Sequence, residues 1–206
     1  MTSDIKAPGT VLTIDTRIAV IQLADPSKKN SLSRPLLESL QENLDSIQKN
    51  DSILALIITG SNGVFSAGAD INELRMLDTP SALSFARFGQ KLFQEISDSG
   101  LITVAAIRGF CMGGGLDLAL ACSYRFAAPD AIFAHPGAKL GIITGFGGTQ
   151  RLTSLIGISN TLHLFLTARR MTADEAETIG LVDKVVSDPV AYAHSHLQAL
   201  LQHPEQ

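Results

Sequence analysis

Two short segments of this sequence place small residues directly after apolar, strand-like runs: Phe65-Ser66-Ala67-Gly68-Ala69-Asp70-Ile71, and Ile107-Arg108-Gly109-Phe110-Cys111-Met112-Gly113-Gly114-Gly115-Leu116-Asp117. In such a position a backbone N–H can approach a ligand oxygen unobstructed by a side chain. Two N–H groups converging on one oxygen form an oxyanion hole, which stabilises negative charge as it develops in a transition state. The second segment also opens a helix, where unpaired N–H groups and a partial positive charge of about half an elementary unit favour an anionic oxygen. A glycine triplet alone has a purely structural use as a tight strand-to-helix turn. Its pairing with the first segment gives the functional reading weight.

The elements that position these segments read as repeated strand and helix units. Residues 10–23 alternate apolar and polar around a turn-like Asp15-Thr16-Arg17, a pattern that predicts a hairpin. Residues 33–49 space Leu36, Leu37, Leu40, Leu44 and Ile47 helically, with Pro35 near the first turn. The short apolar run 53–59 suits a strand buried on both faces and leads into the first segment. A helix over 80–97 and a buried strand over 102–107 lead into the second. Further on, the pattern predicts a helix over 116–121, strands over 124–127 and 131–134, and helices over 149–156 and 160–167. Thr172 and Glu175 form a capping-box pattern that starts a short helix with Gly180 as its C-cap. A strand over 181–186 and a terminal helix over 190–201 complete the reading.

Composition narrows the function classes. With 206 residues, 45% of them hydrophobic, the chain can bury one sizeable core, and one domain is expected. The net charge of −4 is scattered rather than blocked, and there is no basic stripe of the kind nucleic acid requires. Cys111 and Cys122 form no CxxC pair, so neither a disulfide framework nor a metal site is indicated, and free thiols in a reducing cytosol fit best. Residues 1–8 lack an apolar core of the leader type, and no run reaches the ~18 apolar residues of a membrane span. A cytoplasmic protein without membrane partners is expected. Neither GxGxxG after a first strand, nor GK[ST], nor GxSxG is present.

Read together, FSAGADI, the triplet at Gly113 with Asp117, and GFGGTQRL from Gly145 to Leu152 resemble the crotonase superfamily, the enoyl-CoA hydratases and isomerases. The likeness runs from the loop 25–32 through the LVDKVV stretch at 181–186, and the order and spacing of the three motifs make it specific. It implies an α/β fold of repeated ββα units wound in a spiral, with a core over 1–188 and a shortened C-terminal helical segment over 189–206. It also implies an acyl-CoA thioester substrate whose carbonyl is held between the amides of Ala69 and Gly114, so that an enolate is stabilised. The substrate would be bound by Ala67, Gly68, Asp70, Ile71, Gly113 and the loop lysines Lys28 and Lys29, the latter offsetting phosphate charge. No separate cofactor is implied, since coenzyme A is part of the substrate, and a homo-trimer or homo-hexamer is usual.

The acid–base positions depart from that family pattern. Many family hydratases carry one glutamate two residues after the glycine triplet and a second about twenty residues on, and the pair holds the water that is added. This chain has Asp117 at the first position and Gly137 at the second. Dienoyl-CoA isomerases of the superfamily also use an aspartate at the first position, but their two further acids correspond here to Gly137 and Gly145. Asp117 is therefore the first candidate for proton transfer; the purely structural alternative is a helix N-terminal acid complementing the dipole. His135, which titrates near neutrality when unperturbed, and Thr144, beside Gly145, are the possible substitutes for the missing carboxylate. A lone histidine between Ala134 and Pro136 is also commonly a hydrogen-bonded structural residue. The chain stops at Gln206 after one helix where family members continue, so an acyl pocket left open or completed by another subunit is expected. The resulting expectation is an enoyl-CoA hydratase/isomerase-type enzyme. The alternatives are a noncatalytic acyl-CoA-binding or assembly subunit, and a decarboxylase or thioesterase on the same fold.

Overall fold

The computed structural model describes residues 9–25, 27 and 29–202. Lys28 and the leader-like question at residues 1–8 lie outside the described residues. Strands β1 (Gly9–Asp15) and β2 (Ile18–Ala24) form the expected antiparallel hairpin, turned at Thr16, whose φ is +56°. Helix α1 (Arg34–Gln48) follows with Pro35 in its first turn, and buries Leu36, Leu37, Leu40, Leu44 and Ile47. Strand β3 (Ala55–Gly60), the short helix α2 (Ile71–Arg75) and the long helix α3 (Thr79–Ser97) lead to β4 (Ile102–Ile107). Asp78 and Ser81 start α3 with a reciprocal capping box.

From β4 onward a repeat is visible. A strand in the large sheet is followed by a strand in a small sheet and then by a helix. Thus β4 precedes β5 (Phe110–Met112) and α4 (Gly114–Leu120), while β6 (Tyr124–Ala127) precedes β7 (Ile132–Ala134), α5 (Gly137–Leu140) and α6 (Gly148–Thr167). Strand β8 (Met171–Thr172), α7 (Ala173–Thr178), β9 (Lys184–Val185) and α8 (Pro189–Gln202) close the described chain. The large sheet has the order β1-β2-β3-β4-β6-β9, parallel from β2 to β9, and the small sheet the order β5-β7-β8.

The central strands are buried on both faces, as their unbroken apolar runs require. Leu56, Ile58, Ala105 and Ile107 join the main core, where α1, α3 and α4 pack. Their neighbours Ile57, Val104 and Ala106 face the other way, against Ala193 and Leu197 of α8. Cys111 and Cys122 are both buried as free thiols.

Three local readings change. The strand expected over 181–186 shrinks to Lys184–Val185, because the backbone is still closing α7: with Gly180 at φ +77°, the N–H groups of Leu181 and Val182 both reach back to the Ala176 carbonyl. The helices expected over 149–156 and 160–167 form the single element α6, broken at Gly157 (φ 77°, ψ 163°). Phe110–Met112, to which the sequence pattern assigns no element, is a strand paired to β7; three residues are too few to display an alternation. Helices α2 and α5 span five and four residues and were equally silent in the pattern.

Candidate active site

The two glycine-bearing segments lie side by side, stitched together through the main chain. Phe65 N–H donates to the Arg108 carbonyl (2.8 Å), Ser66 N–H to Phe110 (2.8 Å), and Met112 N–H returns a bond to Ser66 (3.0 Å). The Ser66 hydroxyl donates to the Asn30 carbonyl (2.7 Å) and accepts from Gly68 N–H (3.1 Å), fastening the 25–32 loop to the same place. Asn30 in turn donates through Nδ2 to the carbonyls of Val64 (2.6 Å) and Ser61 (3.1 Å). Glycine is required where the segments touch: Gly68 has φ +94°, and a Cβ on it would lie 2.6 Å from the Met112 oxygen and 3.2 Å from the Gly114 nitrogen. Gly115 presses equally against Ser66.

At this contact the amides of Ala69 and Gly114, one from each segment, have no acceptor among the described residues. Of the amides around them, Gly68 N–H donates to the Ser66 hydroxyl, Gly113 N–H to the Ala134 carbonyl (2.9 Å), and Asp117 N–H to that of Gly113 (3.0 Å). Gly114 is the first residue of α4, so its N–H has no intrahelical partner and stands at the positive end of the helix. Ala67, Gly68, Ala69, Ile71, Gly113 and Gly114 line a cavity of about 520 Å³, together with Phe85, Ile143, Phe146 and Phe165. That lining is overwhelmingly apolar, suited to a hydrocarbon chain.

The polar exception is at one wall. Asp117 lies in the first turn of α4, and its side chain is fully buried, 0% exposed; Thr144 and His135, which both line the cavity, converge on it. The Thr144 hydroxyl donates to Asp117 Oδ2. His135 Nε2 stands 3.3 Å from Oδ1, close enough for an ion pair but misaligned for a hydrogen bond, and neither atom has another partner. Burial lifts the Asp117 carboxyl from 3.8 to about 7, although the Thr144 hydroxyl, the amides of Phe146 and Gly148 and the Arg151 cation pull it down. Burial also drops the His135 imidazole from 6.5 to about 4. Near neutrality the histidine is therefore uncharged, and the pair is one titrating carboxyl beside a neutral ring, not a salt bridge. Gly148 leaves the space that the carboxylate fills, since a Cβ there would collide with Oδ1.

Of the remaining expected contacts, Asp70 caps α2 by accepting from Asn72 N–H (2.9 Å), which fixes the loop bearing Ala69. Lys29 is exposed, with its ammonium 5.0 Å from the Phe110 ring centroid, outside the cavity lining. Gly137 opens α5 at the cavity wall, and a Cβ there would come within 2.5 Å of the Ile142 carbonyl oxygen. The position matching the second glutamate is thus closed to any side chain by the backbone itself. The sequence reading missed Asn30, whose φ of +53° and buried amide organise the loop, and Arg151, which ties the Phe146 carbonyl (3.1 Å) to Gln94 (3.0 Å). GFGGTQRL contained Arg151, but nothing in the spacing pointed it at Asp117.

Comparison with known proteins shows the family and the fold. A family profile described as enoyl-CoA hydratase/isomerase matches residues 13–205. The chain is 40% identical over 177 residues to the crotonyl-CoA hydratase of Syntrophomonas wolfei, covering 85% of this chain and 68% of that protein. It is 37% identical, with the same coverages, to the short-chain-enoyl-CoA hydratase of Clostridium acetobutylicum. The crystal structure of enoyl-CoA hydratase from Thermoplasma volcanium superposes with a TM-score of 0.90 at 32% identity, over 96% of this chain and 79% of that one. With its repeat of two strands and a helix, a family profile matched over 13–205 and these relatives, the chain belongs to the enoyl-CoA hydratase/isomerase family and has its crotonase fold.

Proposed function

We propose that this protein hydrates an enoyl-CoA thioester: the amides of Ala69 and Gly114 hold the thioester oxygen, and Asp117 handles the proton. The observation that carries the reading is that the acceptor-free amides of Ala69 and Gly114 both belong to residues lining one apolar cavity. A carbonyl placed there would gain negative charge as water attacks the β-carbon, and two aligned donors favour that charge over the neutral ground state. With its carboxyl raised to about 7, Asp117 can take a proton and give it back at neutral pH without a second acid. His135 stays neutral and keeps bulk water from the carboxyl. The names of the relatives, which act on crotonyl-CoA and short-chain enoyl-CoA, support a short enoyl substrate.

The same reading takes coenzyme A as part of the substrate rather than as a cofactor, and the charges of Lys28 and Lys29 as an attraction for its phosphates. It places the protein in the cytoplasm as a homo-trimer or homo-hexamer. No helix among the described residues is long and apolar enough to cross a membrane, and Leu155, Ile158, Leu162 and Leu166 of α6 are exposed, as an assembly surface would require. Sedimentation of the purified protein decides the assembly.

A second reading, a noncatalytic acyl-CoA binder, is favoured by the complete burial of Asp117 and by Gly137. Crotonyl-CoA hydration, followed by mass spectrometry in wild type and Asp117→Ala, separates them. Catalysis predicts turnover that falls about a hundredfold or more in the variant. Binding of the thioester without any product in wild type would establish the noncatalytic reading.

A further inference from the structure

Asp117 presents a difficulty for any proton transfer: it is fully buried and is not among the described residues lining the cavity, so a substrate there cannot touch it. Two cavity-lining side chains reach it. His135 is only 2% exposed, has no hydrogen-bond alignment to the carboxylate, and loses its proton-carrying capacity near neutrality through burial. Thr144 is half-buried, lines the cavity, and has its hydroxyl hydrogen bonded to Asp117 Oδ2. Because the Thr144 proton is committed to the carboxylate, its oxygen offers the cavity only lone pairs, and these can accept a hydrogen bond from a water molecule.

We infer that Thr144 is a catalytic residue of this site, orienting the attacking water and relaying its proton to Asp117. The inference rests on the hydratase reading above. In the first step the water oxygen forms the bond to the β-carbon, and the π pair of the C2=C3 bond moves toward the thioester, giving an enolate whose oxygen lies between the Ala69 and Gly114 amides. As that bond forms, the water passes one proton to Thr144 Oγ1, and Thr144 passes its own proton to Asp117 Oδ2. In the second step the enolate carbon C2 takes a proton from Thr144, which is replenished from Asp117. Water has then added once across the double bond, and both protein groups are restored. Thr144 thereby supplies the cavity-facing end that the glycine at position 137 cannot.

The groups facing Asp117 are Thr144 from the loop before α6, His135 from the end of β7, Arg151 from α6, Cys111 from β5, and the amides of Phe146 and Gly148. Among the side chains, the hydroxyl of Thr144 is the strongest influence holding the carboxyl down, so its removal moves Asp117 to higher pH.

The test compares wild type, Thr144→Val and Thr144→Ser with crotonyl-CoA, measuring kcat, KM and their pH dependence, with thermal melts confirming folding. Valine keeps the shape and removes the hydroxyl; serine keeps the hydroxyl. Expected is a kcat about a hundredfold lower in Thr144→Val with KM changed by no more than about threefold. The rise of kcat with pH shifts upward in that variant, and Thr144→Ser recovers kcat to within about tenfold of wild type. A Thr144→Val enzyme with wild-type kcat and an unshifted profile overturns the relay, while leaving the hydratase reading intact if Asp117→Ala is inactive. A failure of serine to recover what valine loses also overturns it, assigning Thr144 to packing. Wild-type protein that binds thioester without turnover removes both readings together.

Discussion

The burial of two titratable groups against each other has a signature in stability that is separate from catalysis. Asp117, lifted from 3.8 to about 7, keeps its proton in the folded protein where the unfolded chain has released it, so this group makes stability fall as pH rises from about 4 to 7. His135, dropped from 6.5 to about 4, is neutral in the folded protein where the unfolded chain is charged, so it makes stability rise over about 4 to 6.5. The first movement corresponds to about 4 kcal/mol and the second to about 3 kcal/mol, each with a limiting slope of about 1.4 kcal/mol per pH unit. In wild type the two nearly cancel below about pH 6.5. Asp117→Asn removes the falling component and exposes a rising one, whereas His135→Phe does the reverse. Urea unfolding followed by circular dichroism at about pH 4.5, 5.5 and 6.5, settings that lie within both windows, measures the slopes. Other groups titrate in this range but contribute alike to all three proteins, and any packing change in a variant moves its whole curve without tilting it. Parallel curves for the three proteins would falsify the assignment of these charge states.

Two further substitutions examine the backbone. Gly68→Ala must relieve both a φ of +94° and a Cβ 2.6 Å from the Met112 oxygen, so it is expected to destabilise by about 3 kcal/mol, lowering the melting temperature by roughly 6–12 °C, and to depress kcat by disturbing the Ala69 and Gly114 amides. A melting temperature within about 2 °C of wild type would show that the segments yield more readily than this. Gly137→Glu, which restores the family glutamate, is expected to leave hydration unimproved or lower, because the new Cβ meets the Ile142 carbonyl at 2.5 Å and the 137–142 turn must move; a rate increase of about tenfold or more in a crotonyl-CoA assay would contradict that.

How much of this was legible beforehand follows from what kind of signal each part carries. The long elements announce themselves: five apolar residues at helical spacing place α1, and unbroken apolar runs place β3 and β4. The hole could be proposed from small residues after strands, since local geometry decides whether a backbone amide is uncovered. The departure at Gly137 was equally visible, and Thr144 could be named only as a neighbour of Gly145. Its bond to Asp117 spans 27 positions and depends on Gly148 making room, a long-range packing fact that no spacing encodes. The burial of Asp117 and the neutrality of His135 follow from the whole core in the same way. Short elements such as β5 and α5 exist because of their partners, so their own residues give little warning.

The main-chain stitching between Ser66 and the Phe110–Met112 strand has a consequence for how such a protein can change over generations. Because that seam is made of peptide groups, the side chains along it can drift in identity, apart from a few obligatory glycines, without respacing the two donor amides. The proton-handling groups hang from different pieces: the first turn of α4, the end of β7 and the loop ahead of α6. Charge stabilisation and proton traffic are therefore separable inheritances. A lineage can discard a glutamate at one wall, recruit a hydroxyl at another, and explore new reactions while the costliest part of the machinery to reinvent stays in place.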